Sequence, residues 1–367
     1  MKILYITTIL NTVKTFLVPH IKMLIENGHK VDVASNIAHS NDRELQKLGC
    51  EIYHVPFQRS PIKLENIEAY KQIKKLIIEN NYDIVHTHTP IASAIARFAC
   101  KSICKTKVFY TAHGFHFYNG APIINWLVYY PIEKYLSKYT DVLITINKED
   151  YNRAKKLNAK KLFYIHGVGI DINKFRNIKV DRAIKRKEIG LPNDSFVLLS
   201  VGELNKNKHH EIIIKALAEL KNPNIYYVIC GQGPLEYYLK SLSKKLNIES
   251  QVILLGFRED VNEIYKIADV FVFPSYREGL PVSLLEALAS GLPVICSDIR
   301  GNIDLVENGI NGYLVRVNDI NGYAKAIEKM RQTHLELMET YNNDKIKYYD
   351  ISNVTLELKK LYESFCC

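Results

Sequence analysis

The stretch VFVFPSYREGLPVSLLEALASGLPVICSD, Val270 to Asp298, reads as strand, loop, helix and strand in close succession. Two short apolar runs, "VFVFPS" and "PVICSD", bracket a helix-period segment that Pro281 opens. A strand, a crossover helix and a second apolar strand form the βαβ unit of a parallel sheet. Glu278 stands on the loop before the helix and Glu286 lies inside it. Two carboxylates so placed read either as a pair with separate tasks or as a solvated loop charge and a helix-face charge. Spacing alone does not separate the two.

The same alternation runs outward in both directions. The first half holds "KILYITT", "VDVAS", "EIYHVPF", "DIVHTHT", "KVFYTAHG", "DVLITI" and "LFYIHGV", with amphipathic stretches such as Thr15–Asn27 and Leu64–Asn80 between them. The second half restarts with "FVLLSVGEL", "IYYVICGQG", "VILLGF", "VFVFPS", "PVICSD" and "YLVRV". Two such series predict an α/β protein of two doubly wound domains. The charged, irregular segment between them predicts domains over 1–170 and 191–340, a linker at 171–190 and a C-terminal helical segment over 341–367 that packs back on the first domain.

A length of 367 residues suits two cores, and 47 % apolar with 24 % charged residues is globular rather than disordered. Seven cysteines without C-x-x-C spacing exclude a disulfide framework. Cys100, Cys104, Cys230 and Cys296 read as small core thiols, and Cys366–Cys367 as an exposed tail. The uncharged run Val108–Ile132 contains His113, His116, Asn119 and Pro122, which makes it a poor transmembrane helix. Residues 1–170 hold 23 Lys+Arg against 13 Asp+Glu, whereas residues 171–367 hold 26 against 26. Moving the basic stretch 171–190 across changes the split to +14 against −4. A basic half meets nucleic acid, an anionic membrane or a phosphorylated substrate, and no nucleic-acid module is present.

In open α/β sheets ligands bind outside the carboxyl ends of the strands. At those ends in the second half stand Gly202 and Glu203 before "NKNKHH", Gly231 and Gly233, Gly256-Phe257-Arg258, and Glu278-Gly279-Leu280 before the helix. Glycine admits close backbone approach, and a helix N-terminus presents free N–H groups to an anion. The amides of Gly279, Leu280, Val282 and Ser283 are the candidate phosphate donors, with Pro281 in the first helical turn. Glu286, in the second turn, is placed to accept two sugar hydroxyls.

These segments together resemble the nucleotide-sugar domain of the retaining GT-B glycosyltransferases of the family 4 type. The resemblance covers most of 196–333, through "SVGELNKNKHHEIIIKAL", "YYVICGQGPLEYYLKSL", "ILLGFREDVNEIYKIADVFVFPSYREGLPVSLLEALASGLPVICSD" and "GYLVRVND". "TAHGFHFYNGAPIINWLVYYPIEKYLSKYTD" is similar to enzymes of bacterial capsule, exopolysaccharide or O-antigen assembly. The resemblance implies GT-B architecture, two Rossmann-like domains facing across a cleft. It implies that Glu286 holds the donor ribose, that Glu278 faces the transferred sugar and that Lys208 neutralises the diphosphate. It places the base at Gly256–Arg258 and a catalytic histidine at His113. Where the family has arginine after the glycine of "VG", this chain has Glu203; Lys206 is then a second source of positive charge, in place of or beside Lys208.

His116, Asn11, Thr12 and Lys14 are acceptor-side candidates, since the family's N-terminal glycine loop is replaced by "TILNTVKT". His86 and His88 share a face of "DIVHTHT", where packing or cleft lining is preferred to a metal. The expected activity is metal-independent, cofactor-free transfer of a hexose or N-acetylhexosamine from a UDP-sugar to a polyprenyl-pyrophosphate-linked saccharide. The expected place is the cytoplasm, peripheral at the inner face of the membrane. Arg97, Lys101, Lys105 and Lys107 are candidates for an anionic surface, and "FHFYNG…INWLVYY" reads equally as an interfacial face or as a helix buried on the first sheet. A UDP-sugar epimerase of the same architecture and a non-catalytic sugar-nucleotide-binding protein are the competing readings.

Overall fold

The structure, a computed structural model, describes residues 1–37, 43–333 and 336–365; the Cys366–Cys367 tail lies outside them. The chain divides into two compact units, one of residues 1–169 with 351–367 and one of residues 170–350.

The first unit holds a seven-stranded sheet of β1 (Lys2–Ile9), β2 (Lys30–Asn36), β3 (Ile52–His54), β4 (Ile84–Thr87), β5 (Lys107–Ala112), β6 (Val142–Thr145) and β7 (Lys161–Tyr164). Their order is β3-β2-β1-β4-β5-β6-β7. Every pairing is parallel. The strands β1, β4 and β6 are buried on both faces, which is why they show no alternation of apolar and exposed positions; their polar residues, Thr7, Thr8, His86, Thr87 and Thr145, are buried as well. The order reverses between β1 and β4, so a crevice opens at the carboxyl ends of those two strands.

The second unit repeats the plan with β8 (Phe196–Val201), β9 (Ile225–Cys230), β10 (Val252–Gly256), β11 (Val270–Phe273), β12 (Val294–Ser297) and β13 (Gly312–Val315). The order β10-β9-β8-β11-β12-β13 puts its switch point between β8 and β11. The opening stretch of sequence is therefore β11, its crossover helix Val282–Ala289 and β12, with Phe271 paired to Val294.

Three local readings change. The amphipathic stretch Thr15–Asn27 is two helices, Leu10–Phe16 and Val18–Glu26. Pro19 cannot donate to a continuous helix and instead occupies the first turn of a new one. The segment 171–190 is not an irregular linker. Asp171 and Asp181 cap short helices at Ile172–Arg176 and Arg182–Glu188, accepting from the Lys174 and Ile184 amides. Several of its charges pair within the second unit: Lys185 meets Asp260 at 2.6 Å and Glu263 at 2.8 Å, and buried Arg186 meets Asp269 at 2.9 Å. Because 171–190 belongs to the second unit, the basic excess stays with the first. Thirdly, residues 341–350 cluster with the second unit, while the helix Ile351–Glu363 clusters with the first. There Tyr362 Oη lies 2.5 Å from His86 Nδ1 and 3.2 Å from Tyr5 Oη, beneath the centre of the first sheet. Cys100, Cys230 and Cys296 are core thiols as their apolar surroundings predict, but Cys104 is exposed.

Candidate active site

Two loops leave the switch point of the second sheet. One follows β8 and runs through Gly202 to His209; the other follows β11 and runs from Pro274 to Pro281. Asn207 fastens them, its carbonyl accepting from the Tyr276 amide at 2.8 Å and its side chain donating to the Arg277 carbonyl at 3.0 Å. Across this seam Lys208 Nζ meets Glu278 Oε1 at 2.8 Å, with the ammonium also 4.5 Å from the centre of the Phe273 ring. Both side chains are largely buried, at 18 % and 15 % exposure, so the pair is more than a surface ornament. Buried Arg300 donates to the Glu278 carbonyl at 3.0 Å and fixes the loop from its other side.

Lys206 is exposed and lines a separate cavity of about 240 Å³ with His209, Glu211 and Tyr276. Lys208 is the lysine that meets Glu278. Glu203, standing where arginine was expected, is exposed and accepts from Asn205 Nδ2 at 2.8 Å; Asn205 Oδ1 in turn accepts from the Lys208 amide at 3.0 Å. Its carboxylate braces the loop that carries Lys208 rather than pairing with the ammonium.

Pro281 is the residue before the helix, in extended geometry (φ −78°, ψ 121°), not a member of its first turn. No side chain caps this end. The leading amides, Val282 and Ser283 among them, are therefore open to an anion, with the helix dipole behind them. Glu286 is partly buried and accepts from Tyr265 Oη at 3.0 Å. The same hydroxyl lies 3.0 Å from the Ser283 carbonyl. Burial pushes the Glu286 carboxyl up to about 7, against which the tyrosine bond pulls downward. A carboxyl poised there is half protonated near neutrality and gains ionisation when two hydroxyl donors reach it.

The glycines have a different cause from the one the sequence suggests. A Cβ at Gly231 would stand 1.9 Å from the Gly202 carbonyl oxygen, and one at Gly233 would stand 2.6 Å from that of Leu204. Backbone packing between the loop after β8 and the loop after β9 already demands both. Gly256, at φ +69°, ends β10 in left-handed geometry, with the Gln232 side chain 3.8 Å from where a Cβ would stand. Phe257 is 71 % exposed. The Arg258 side chain is turned away to Asp260 (2.6 Å) and Glu188 (3.1 Å), which leaves only its backbone for a base.

In the first unit His113 follows β5 directly. Its Nε2 lies 3.3 Å from His88 Nδ1, which follows β4 at the switch point. Burial lowers His113 to about 4, so the imidazole is neutral at physiological pH. His88 and His86 are held well below the usual range by burial as well. His86 bonds Thr111 Oγ1 at 2.8 Å in addition to Tyr362 and so packs the core. His88 Nε2 has no partner among the described residues. His116 stacks on Tyr129 at 4.6 Å. Asn11, Thr12 and Lys14 lie on the helix that follows β1.

Arg97 does not join a basic surface. It is 1 % exposed, bridges Glu133 with bonds of 2.5 and 3.0 Å and lies 4.2 Å over the Tyr110 ring. Lys101, Lys105 and Lys107 are exposed. Sequence reasoning passed over Asn207, Arg300 and Tyr265. The first two act through loop geometry that leaves no periodic trace, and Tyr265 looks like one more apolar position of the helix Val261–Ile267.

The family model described as "Glycosyl transferases group 1" matches residues 181–358, and "Glycosyl transferase 4-like" matches residues 2–147. A Bacillus subtilis (strain 168) protein named as glycosyltransferase EpsD is 40 % identical over 336 residues, 90 % of this chain and 87 % of the relative. The UDP-Gal:alpha-D-GlcNAc-diphosphoundecaprenol alpha-1,3-galactosyltransferase of Escherichia coli is 32 % identical, with 82 % of each chain covered. Among solved structures, Anabaena Alr3699/HepE in complex with UDP and glucose superposes with a TM-score of 0.81 at 19 % identity, covering 99 % of this chain and 100 % of its own. Two doubly wound units, the strand-end loops and these relatives agree: the chain belongs to the group 1 glycosyltransferases and has the GT-B fold.

Proposed function

We propose that the chain is a retaining, metal-independent transferase that moves a hexose or N-acetylhexosamine from a UDP-sugar to a polyprenyl-diphosphate-linked saccharide in surface polysaccharide synthesis. The observation that carries this reading is the convergence of Lys208, Glu278, the uncapped helix end at Val282 and Glu286 on one sheet switch point. Glu286 accepts the ribose hydroxyls, the helix amides receive the diphosphate and Lys208 balances its growing charge. Preorganised positive charge of this kind does the work of a bound cation. Without donor, Lys208 is held by Glu278, so the arriving diphosphate competes for it and frees the carboxylate toward the sugar. The acceptor oxygen then bonds to the anomeric carbon as the bond to the diphosphate breaks, and the proton passes to the departing diphosphate. His113, neutral in this setting, is the group proposed to meet the transferred sugar.

The Escherichia coli relative's name supports both the lipid-linked acceptor and an alpha linkage. No helix among the described residues is long and apolar enough to cross a membrane. The helix Ile123–Leu136 instead exposes Ile123, Ile124 and Leu127 at 76, 61 and 67 %. With lysines 101, 105, 107, 134 and 138 also exposed, this supports peripheral attachment to the anionic cytoplasmic leaflet. Incubation with a UDP-sugar panel and lipid-linked acceptors, read by mass spectrometry, tests the proposal. Hexose gain on lipid is expected. Interconversion of free UDP-sugars, or binding without turnover, would overturn it.

A further inference from the structure

The first unit carries an apolar groove that the donor chemistry does not use. The helix Pro90–Cys100 buries Ala92, Ala96 and Ala99 in the core. A second stripe, Ile91, Ala94, Ile95 and Phe98, recurs at i, i+3, i+4 and i+7 and lines an open groove of about 840 Å³. Across it the helix Ile123–Leu136 presents Val128, Ile132 and Tyr135, which are 42, 49 and 42 % exposed. A helix apolar on both faces wants cover on both, and an exposed apolar patch with a polar rim marks a binding surface. The volume lies within the range of ligand pockets.

The two ends of the groove differ. It reaches Gly114, Phe115 and His116, the residues directly after His113. Lys63 stands on its lining; exposed Lys101, just past one walling helix, and Lys134, in the last turn of the other, lie at the end away from His113. The Arg97–Glu133 pair belongs to the lining but is internally neutralised, so it offers no net charge to a ligand.

We propose that this groove takes the isoprenoid chain of the polyprenyl-diphosphate-linked acceptor; the inference rests on the lipid-linked reading above. A ligand with sugar at one end, diphosphate next and hydrocarbon beyond matches a groove that starts beside His113, carries Lys63 on its lining and is apolar along the two helices. A flat bilayer meets protruding side chains, and Ile123, Ile124 and Leu127 serve that contact outside the groove. The concave part holds a single chain drawn out of the bilayer.

The test uses the full chain in detergent micelles, with one saccharide carried on undecaprenyl or on farnesyl diphosphate. The undecaprenyl acceptor is expected to show a KM lower by at least about tenfold, the weight of roughly two buried methylene groups. Ala94→Trp fills the groove and Ile132→Glu charges a half-exposed wall position that need not disturb folding; both should collapse the ratio of the two KM values. Tyr237→Ser, at an exposed position in the second unit, should leave the ratio unchanged. No chain-length preference in the native enzyme, or an equal rise of both KM values in the variants, overturns the proposal. So does a variant that loses phosphatidylglycerol-vesicle binding, or changes oligomeric state, with the ratio intact. Transfer to neither acceptor would instead sink the lipid-acceptor reading. The groove is then judged by calorimetric titration with undecaprenyl phosphate: saturable binding weakened by Ala94→Trp sustains it, and no binding refutes it.

Discussion

Glu286 offers the sharpest test, because its titration and its proposed task are linked. If only the ionised carboxylate accepts both ribose hydroxyls, UDP affinity is full above the free-protein value of about 7 and falls as pH drops below it. Between about pH 8 and about pH 5 the ionised fraction falls roughly 100-fold, which is about 2.7 kcal/mol of binding free energy. The nucleotide's own phosphate also titrates in this range, so Glu286→Gln supplies the reference. Calorimetric titration across this range should show the native profile steeper than the Gln profile by about one decade per pH unit below 7. Parallel profiles would refute the ribose assignment. The sign for stability is opposite. Glu286 is raised from 4.5 unfolded to about 7 folded, so the native state binds the extra proton. The stability this gives is fully present below 4.5 and is lost as pH rises through 7. Glu286→Gln should therefore stabilise the protein at pH 8 by up to about 3 kcal/mol, and hardly at all in acid, in denaturant unfolding.

Other substitutions probe separate parts of the structure. Glu278→Gln releases Lys208 from its 2.8 Å partner; UDP should bind several-fold tighter by calorimetry while turnover on the sugar donor falls by about 100-fold or more. Weaker UDP binding in that variant would show that the pair is needed intact. Arg97→Ala leaves Glu133 buried without its partner and should cost about 3–5 kcal/mol in urea unfolding, whereas a double change to apolar residues should recover most of it. Gly231→Ala drives a methyl onto the Gly202 carbonyl; a loss of about 1–3 kcal/mol is expected, and an unchanged melting temperature would show that the loops part freely. Pelleting with anionic vesicles should weaken as salt rises, since the lysines of the first unit act through screened charge.

The strands were the most legible part of the chain. Each of the thirteen strands among the described residues falls on a run that sequence reading singles out, because aliphatic, β-branched and aromatic residues dominate even the half-exposed strands β3, β7 and β10. The helical boundaries were less so: Pro19 restarts a helix that periodicity alone joins. In 171–190 the density of charge hid two capped helices whose partners lie some seventy residues away or more. At the site, Glu278 and Glu286 stood out by their place after a strand, while Lys208 came only from the family resemblance, with Lys206 left beside it. The close packing of Gly231 and Gly233 could not be picked out, because the neighbour that demands it is another loop. Arg97 was misplaced for a related cause: a cation in sequence carries no mark of the carboxylate thirty-six positions on that buries it.

By itself the sequence determined the α/β class, the duplication of the doubly wound plan and the strand ends at which the candidate residues stand. Hydrophobic runs and glycine-rich strand ends are local properties, written residue by residue. Only the tertiary structure decided that Lys208 rather than Lys206 meets Glu278, that Glu203 braces a loop instead of opposing the lysine, and that Tyr265 shares the Glu286 carboxyl. These depend on which loops the sheet order brings side by side. Strand order is a non-local outcome of packing, and no short window of residues contains it.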